Sequence, residues 1–195
     1  MTICIFGDSI TWGAFDFEKG GWVERLKTYL INDDVYVYNL GVSNDSTENI
    51  IKRFDAEAEA RNPDIIIFSV GTNDALKADG KNLISIDEFI KNIETLTDKA
   101  RKITNKIVFI GLTTVDESKT NPYSWDESLS SDNQTVGEYD EAIRVFCEEN
   151  DIIFIDMLGL LNKNEDLCDG LHPSATGHQK MFEVIKDAIE PLWKE

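Results

Sequence analysis

The stretch Thr2-Ile3-Cys4-Ile5-Phe6-Gly7-Asp8-Ser9-Ile10-Thr11 decides the fold. A short apolar run, Ile3 to Phe6, ends abruptly in a Gly-Asp-Ser turn, the pattern of a buried strand. In an open parallel α/β sheet, ligands bind just beyond the C-terminal ends of the strands. A serine in that position faces a crevice, whereas the same residue in mid-strand would be buried. Ser9 is therefore read as a nucleophile whose partners must come from the other strand ends.

Working outward from that run, four more of the same kind follow: Val35–Tyr38, Asp64–Val70, Lys106–Ile110 and Ile152–Ile155. All but the second are nearly continuous in Ile, Val and Phe, as parallel strands covered on both faces require. Val35-Tyr36-Val37-Tyr38 is less aliphatic and suits a sheet edge. Between the runs lie amphipathic patterns at helical spacing. Trp22, Val23, Leu26 and Leu30 mark the first, and Ile50, Ile51, Phe54 and Ala58 the second. The third begins with Ser85 and Glu88 as a capping box and buries Phe89, Ile93, Leu96 and Ala100. Val136, Tyr139, Ile143 and Cys147 define the fourth; the last is capped by Ser174 and carries Met181, Ile185 and Ile189. Strand and helix alternating in this way predict one three-layer α/β domain over residues 1–195 with right-handed crossovers.

Composition narrows the function. With 42% hydrophobic and 29% charged residues the chain is ordinary globular material, not a disordered one. Its 37 acidic against 19 basic side chains give a net charge of −18, a field that repels nucleic-acid phosphates and anionic membranes. Cys4 falls in a strand and Cys147 on a helix's apolar face, so both read as small core residues. No charged leader or long apolar span is present, and a cytoplasmic location is the default expectation.

The polar clusters gather on one edge of the predicted sheet. Gly7-Asp8-Ser9 follows the first strand, Asn39-Leu40-Gly41-Val42-Ser43 the second, Gly71-Thr72-Asn73-Asp74 the third, and Asp169-Gly170-Leu171-His172-Pro173 the fifth. Acyl transfer needs a nucleophile, a base, an orienting carboxylate and donors for the developing oxyanion. Of the two histidines, His178 falls inside the last helix, where it packs or faces solvent, and His172 sits in a loop. Asp169, three residues before His172, can reach back to its ring, fix the tautomer and stabilise the imidazolium. The oxyanion donors expected on the same grounds are the exposed N–H of Ser9, the backbone at Gly41 and the side-chain amide of Asn73.

These blocks resemble those of the SGNH hydrolases, also called GDSL esterases and lipases, along the whole chain. The resemblance implies Ser9, Gly41, Asn73 and His172 as the name-giving residues, with Asp169 completing a triad. It also implies a flavodoxin-like, five-stranded parallel sheet in the order 2-1-3-4-5, with strand two at an edge. Two departures stand out: Ile10 replaces the leucine of the GDSL name, and Asn44 stands where related chains often carry glycine, which would narrow the pocket beside Gly41. In that order strand five lies on the order of 15 Å from strand one, and the loop Asp156–Pro173 must arch that far to deliver His172.

The expected activity is hydrolysis of small carboxylic esters, an O-acetylated sugar among them, through an acyl-enzyme and with no metal or organic cofactor. A thioesterase on the same triad is the alternative within that mechanism. From other classes come a metal-dependent phosphoesterase using Asp8, Asp74, Asp169 and His172 as hard ligands, and a non-catalytic binding module. Outside the metal reading, Asp8 ties neighbouring amides together and Asp74 caps a helix or braces a loop. Trp12, Asn44 and Trp125 are the expected substrate-binding residues, while Phe15, Phe17 and Tyr123 are loop aromatics. The long polar segment Leu112–Asp132 is expected to form a wall or lid.

Overall fold

Five parallel strands form the central sheet of the computed structural model, which describes residues 1–194; Glu195, the last residue of the predicted domain, lies outside the described residues. In chain order the strands are β1 (Thr2–Gly7), β2 (Tyr36–Gly41), β3 (Ile65–Ser69), β4 (Lys77–Ala78), β5 (Lys81–Asn82), β6 (Ile107–Ile110), β7 (Leu129–Ser130) and β8 (Ile153–Ile155). The helices are α1 (Ser9–Trp12), α2 (Gly21–Tyr29), α3 (Thr47–Glu59), α4 (Thr72–Ala75), α5 (Ile86–Arg101), α6 (Glu117–Thr120), α7 (Asn133–Glu149) and α8 (Ala175–Ile189). A 3₁₀ turn, Glu190–Leu192, follows.

The main sheet runs β2-β1-β3-β6-β8, which is the expected 2-1-3-4-5 when its own five strands are counted along the chain. Side chains alternate across it and build two cores. Phe6, Phe68 and Phe109 point to one face, where Phe54 of α3 and the apolar stripes of α5 and α7 close over them. Ile3, Ile5, Ile65, Ile67 and Val108 point to the other, against Trp22 and Leu26 of α2 and Met181 and Ile185 of α8. Full burial of each such side chain is worth about 1.5–3 kcal/mol. Cys4 and Cys147 lie in the first core, and burial pushes both thiols up to about 12.

Two details differ from the sequence reading. β2 continues to Gly41, past the predicted end at Tyr38, because its ladder with β1 runs through Gly7↔Gly41 and an edge strand tolerates the polar Asn39. A second, three-stranded sheet, β5-β4-β7, was not predicted. Its hairpin turns on Asp79 and Gly80, both at positive φ (50° and 76°), the Asp-Gly signal of a two-residue turn. No helix among the described residues is long and apolar enough to cross a membrane.

Candidate active site

β1 delivers Ser9. Where the strand ends, Asp8 caps the short helix α1 by accepting a hydrogen bond from the N–H of Ile10 on its Oδ1 at 2.9 Å. Ser9 thus opens a helical turn at the end of a central strand, and its own N–H has no acceptor within that turn. Burial pushes the Asp8 carboxyl up to about 6, although the Ile10 amide and nearby His172 pull the other way.

His172 arrives from the loop after β8, and that loop is clamped at its base. Ser174 N–H donates to the Asp166 carbonyl at 2.7 Å and Cys168 N–H to that of His172 at 2.9 Å. The Asp166 carboxylate is itself held by Lys180 at 2.6 Å and by the Asn162 amide at 2.7 Å. Within this frame Asp169 Oδ1 accepts the backbone N–H groups of Leu171 (3.0 Å) and His172 (2.8 Å), leaving Oδ2 for the ring. Oδ2 lies 2.7 Å from His172 Nδ1, and His172 Nε2 lies 2.9 Å from Ser9 Oγ. Burial alone would raise the Asp169 carboxyl. The hydrogen bonds from the His172 ring and amide and from Leu171 outweigh that, and hold it at about 2. Asp169 is therefore ionised at any working pH, and its charge favours a proton on Nδ1. Nε2 is then free to accept the Ser9 hydroxyl.

Asn73 lies at the start of α4, half-buried, and spends one amide hydrogen on the Asp45 carbonyl at 3.0 Å. The other hydrogen is unspent among the described residues. The turn that Asn73 grips, Val42–Asp45, is closed by a 3.1 Å bond from Asp45 N–H to the Val42 carbonyl and carries Asn44 at φ 68°. That left-handed backbone suits glycine, with Asn the side chain that best tolerates it. Asn44 is exposed, and its N–H is donated to no group among the described residues. Asp74 is a brace: its buried carboxylate accepts both the N–H and the hydroxyl of Thr47, and burial pushes it up to about 6 despite those bonds.

Gly41 departs from expectation. Val42 N–H donates to the Gly7 carbonyl inside the ladder, so the N–H before it turns the opposite way. It is donated to Asn39 Oδ1 at 3.0 Å and not presented to the crevice. What the position needs is the missing Cβ, since a side chain there would come within 2.3 Å of the Trp12 nitrogen. Gly41 lets α1 lie against β2.

The aromatic residues separate into two groups. Trp12, Phe15 and Phe17 share a depression of about 460 Å³ with Asn39 and Glu24, and the Phe15 ring lies 5.1 Å from the His172 ring. Trp125, expected at the substrate, lines a second hollow of about 300 Å³ with Tyr123, Lys119 and the triad residue Asp169. The segment Leu112–Asp132 lies beside the histidine loop. It is tied to the histidine loop by Asp116 N–H donating to the Gly170 carbonyl at 2.8 Å. His178 is fully buried and packs α8 against the loop before Phe15, with Nε2 3.0 Å from the Ala14 carbonyl.

One residue that the sequence did not single out joins the strand ends. The Arg53 guanidinium donates to the Leu40 carbonyl (2.7 Å), the Gly7 carbonyl (3.3 Å) and Asp45 Oδ2 (2.7 Å). It lies on α3 among acidic neighbours, where it reads as a surface charge. The hard-ligand reading finds no cluster: among the described residues no three His, Cys, Asp or Glu side chains converge as a metal site. Asp8, Asp74 and Asp169 each face protein donors instead.

The chain is similar to several known proteins. The GDSL-like Lipase/Acylhydrolase family matches residues 5–180. Among curated proteins, a multidomain esterase of Ruminococcus flavefaciens is 25% identical over 135 residues, 68% of this chain and 16% of that protein. An acetylxylan esterase of Geobacillus stearothermophilus is 19% identical over 171 residues, covering 82% of this chain and 74% of its own. The chain thus spans only a small part of the first of these relatives. Among solved structures, the lipase/acylhydrolase from Enterococcus faecalis superposes with a TM-score of 0.81 at 25% identity, over 98% of this chain and 96% of that one.

Proposed function

The chain belongs to the GDSL-like lipase/acylhydrolase family, and on that footing we propose that it is a serine hydrolase of small carboxylic esters, working through an acyl-enzyme. The observation that carries the reading is the unbroken contact Ser9–His172–Asp169, 2.9 and 2.7 Å, at the C-terminal edge of the sheet.

The chemistry follows from the proton positions. His172 donates Nδ1–H to Asp169 and accepts the Ser9 proton on Nε2 as Oγ attacks the ester carbonyl. The imidazolium formed is stabilised by the Asp169 carboxylate and returns its proton to the leaving alcohol. Water, activated by the same histidine, then releases the acid and restores Ser9. Negative charge on the carbonyl oxygen is met by the N–H of Ser9 and the unspent amide hydrogen of Asn73. The undonated N–H of Asn44 takes the third place, which the sequence reading had given to Gly41. Each such donor lowers the barrier by about 3–4 kcal/mol.

Two measurements test this. A fluorophosphonate should label the purified protein at Ser9 and nowhere else, and Ser9→Ala should lose turnover of vinyl acetate with an unchanged circular dichroism spectrum. Full turnover in folded Ser9→Ala, or chelator-sensitive activity that survives the organophosphate, would reject the mechanism.

A further inference from the structure

Three aromatic side chains just beyond the nucleophile are unusually exposed: Trp12 at 58%, Phe15 at 41% and Phe17 at 92%. Clustered exposed aromatics mark a surface that binds something. Looseness does not explain them, because the loop bearing them is held on both sides of Phe15. Before it, the Ala14 carbonyl faces buried His178 at 3.0 Å, and Ala14 N–H donates to the Ser9 carbonyl at 3.0 Å. After it, buried Asp16 accepts from Gly21 N–H at 3.1 Å and pairs with Arg25, whose guanidinium also reaches Gln179 and the Ala175 carbonyl. Phe15 itself is fixed at φ 65°, a left-handed conformation that a bulky side chain adopts only under constraint.

Position assigns the shelf to one half of the substrate. The group that protonates the leaving alcohol is His172, so the alcohol must lie on the histidine side of Ser9, and the acyl oxygen on the Asn73 side. Phe15 packs against His172, and the Phe15 side chain also borders the depression of about 460 Å³ that Trp12 and Phe17 line. Its polar lining is Asp16, Glu24 and Asn39, two carboxylates and an amide suited to hydroxyl groups and hostile to phosphate. The net charge of −18 adds to that repulsion.

Resting on the serine-hydrolase reading above, we propose that Trp12, Phe15 and Phe17 form the leaving-group subsite, and that it takes a neutral sugar ring. The apolar ring face lies on the aromatics while hydroxyls meet Glu24 and Asn39. The enzyme would then be a deacylase of O-acylated carbohydrate. Anionic alcohols and the phosphate-bearing thiol of a coenzyme A thioester are disfavoured at the same place.

The test fixes the acyl group as acetyl and varies what leaves: a mono-O-acetylated hexose, vinyl acetate and acetyl-CoA, followed by acid release. For Phe17→Ala and Trp12→Ala, kcat/KM on the sugar ester should fall about tenfold or more, chiefly through KM. The loss on vinyl acetate should be at least fivefold smaller. Equal losses on both esters would overturn the subsite, as would wild-type preference for acetyl-CoA. So would losses that grow with acyl length at a constant alcohol, which would make the shelf an acyl site. Retention of every activity in Ser9→Ala is a different result: it removes the mechanism, and the leaving-group assignment with it.

Discussion

The phenyl ring of Phe15 lies 5.1 Å from the imidazole of His172, with the two planes 32° apart. The histidine is thus held by Asp169 along one edge and by an aromatic face on the other side. Phe15 is kept at φ 65° to make that contact, a backbone strain on the order of 1–3 kcal/mol. Phe15→Gly relieves the strain and removes the ring, so the two effects on stability offset each other. Melting temperature should move by only a few degrees while kcat falls between about ten- and a hundredfold, the cost of a loosely placed base. A melt and a rate on vinyl acetate measure both; an unchanged kcat would mean that Asp169 alone orients His172.

Asp169→Asn separates charge from shape. The Asn carbonyl can still accept the Leu171 and His172 amides, which now meet Asp169 Oδ1 at 3.0 and 2.8 Å. Its NH₂ then faces Nδ1 and drives the ring proton to Nε2, where it blocks transfer from Ser9. A loss of about 10³–10⁴ in kcat is expected with the fold intact. A loss below tenfold would show that the carboxylate is dispensable.

The oxyanion assignment predicts an asymmetry between two asparagines. Asn73→Ala removes a donor that strengthens as charge develops, so kcat should drop about 10²–10³ with little change in KM. Asn39→Ala releases the Gly41 N–H from its 3.0 Å bond but leaves the proposed donors in place. Its kcat should stay within about threefold of wild type with vinyl acetate. A collapse of kcat in Asn39→Ala would return Gly41 to the mechanism, with Asn39 as the group that positions it.

These cases mark what the sequence carries and what it does not. That Ser9, Asn73, Asp169 and His172 come to one edge was legible because each follows a strand, and a parallel sheet brings every strand's C-terminal end to one side. Gly41 is harder to read, because it ends β2 at the right place in the chain while its N–H is donated to Asn39. Successive amides of a strand point opposite ways, and only the Val42–Gly7 bond fixes which one faces outward. The contact of Phe15 with His172 could not be read at all. It depends on a left-handed backbone at a bulky residue, imposed from α8 and from the Asp16–Arg25 pair, with no local signal. Arg53 was hidden for a related reason, since its partners Leu40, Gly7 and Asp45 are near in space only once β1 and β2 have paired.

Buried carboxyls at the site make stability depend on pH in an unusual sense. Burial raises Asp8 and Asp74 from 3.8 to about 6 in the folded chain, against the pull of their hydrogen bonds from Ile10 and Thr47. Between those values the folded state holds protons that the unfolded state has released. Each group's contribution is therefore complete below about pH 4 and lost as pH rises through about 6. His178 acts oppositely: burial lowers its pKa from 6.5, so unfolding is favoured as pH falls below that value. The groups can be separated by substitution. Asp8→Asn should flatten the fall in unfolding free energy between pH 4 and 6, by on the order of 2–3 kcal/mol across the window. Urea melts at half-unit pH steps, on wild type and variant, give the two slopes directly. Parallel curves would mean that Asp8 keeps an ordinary carboxylate pKa in the folded protein, and that its hydrogen bond to Ile10 outweighs its burial.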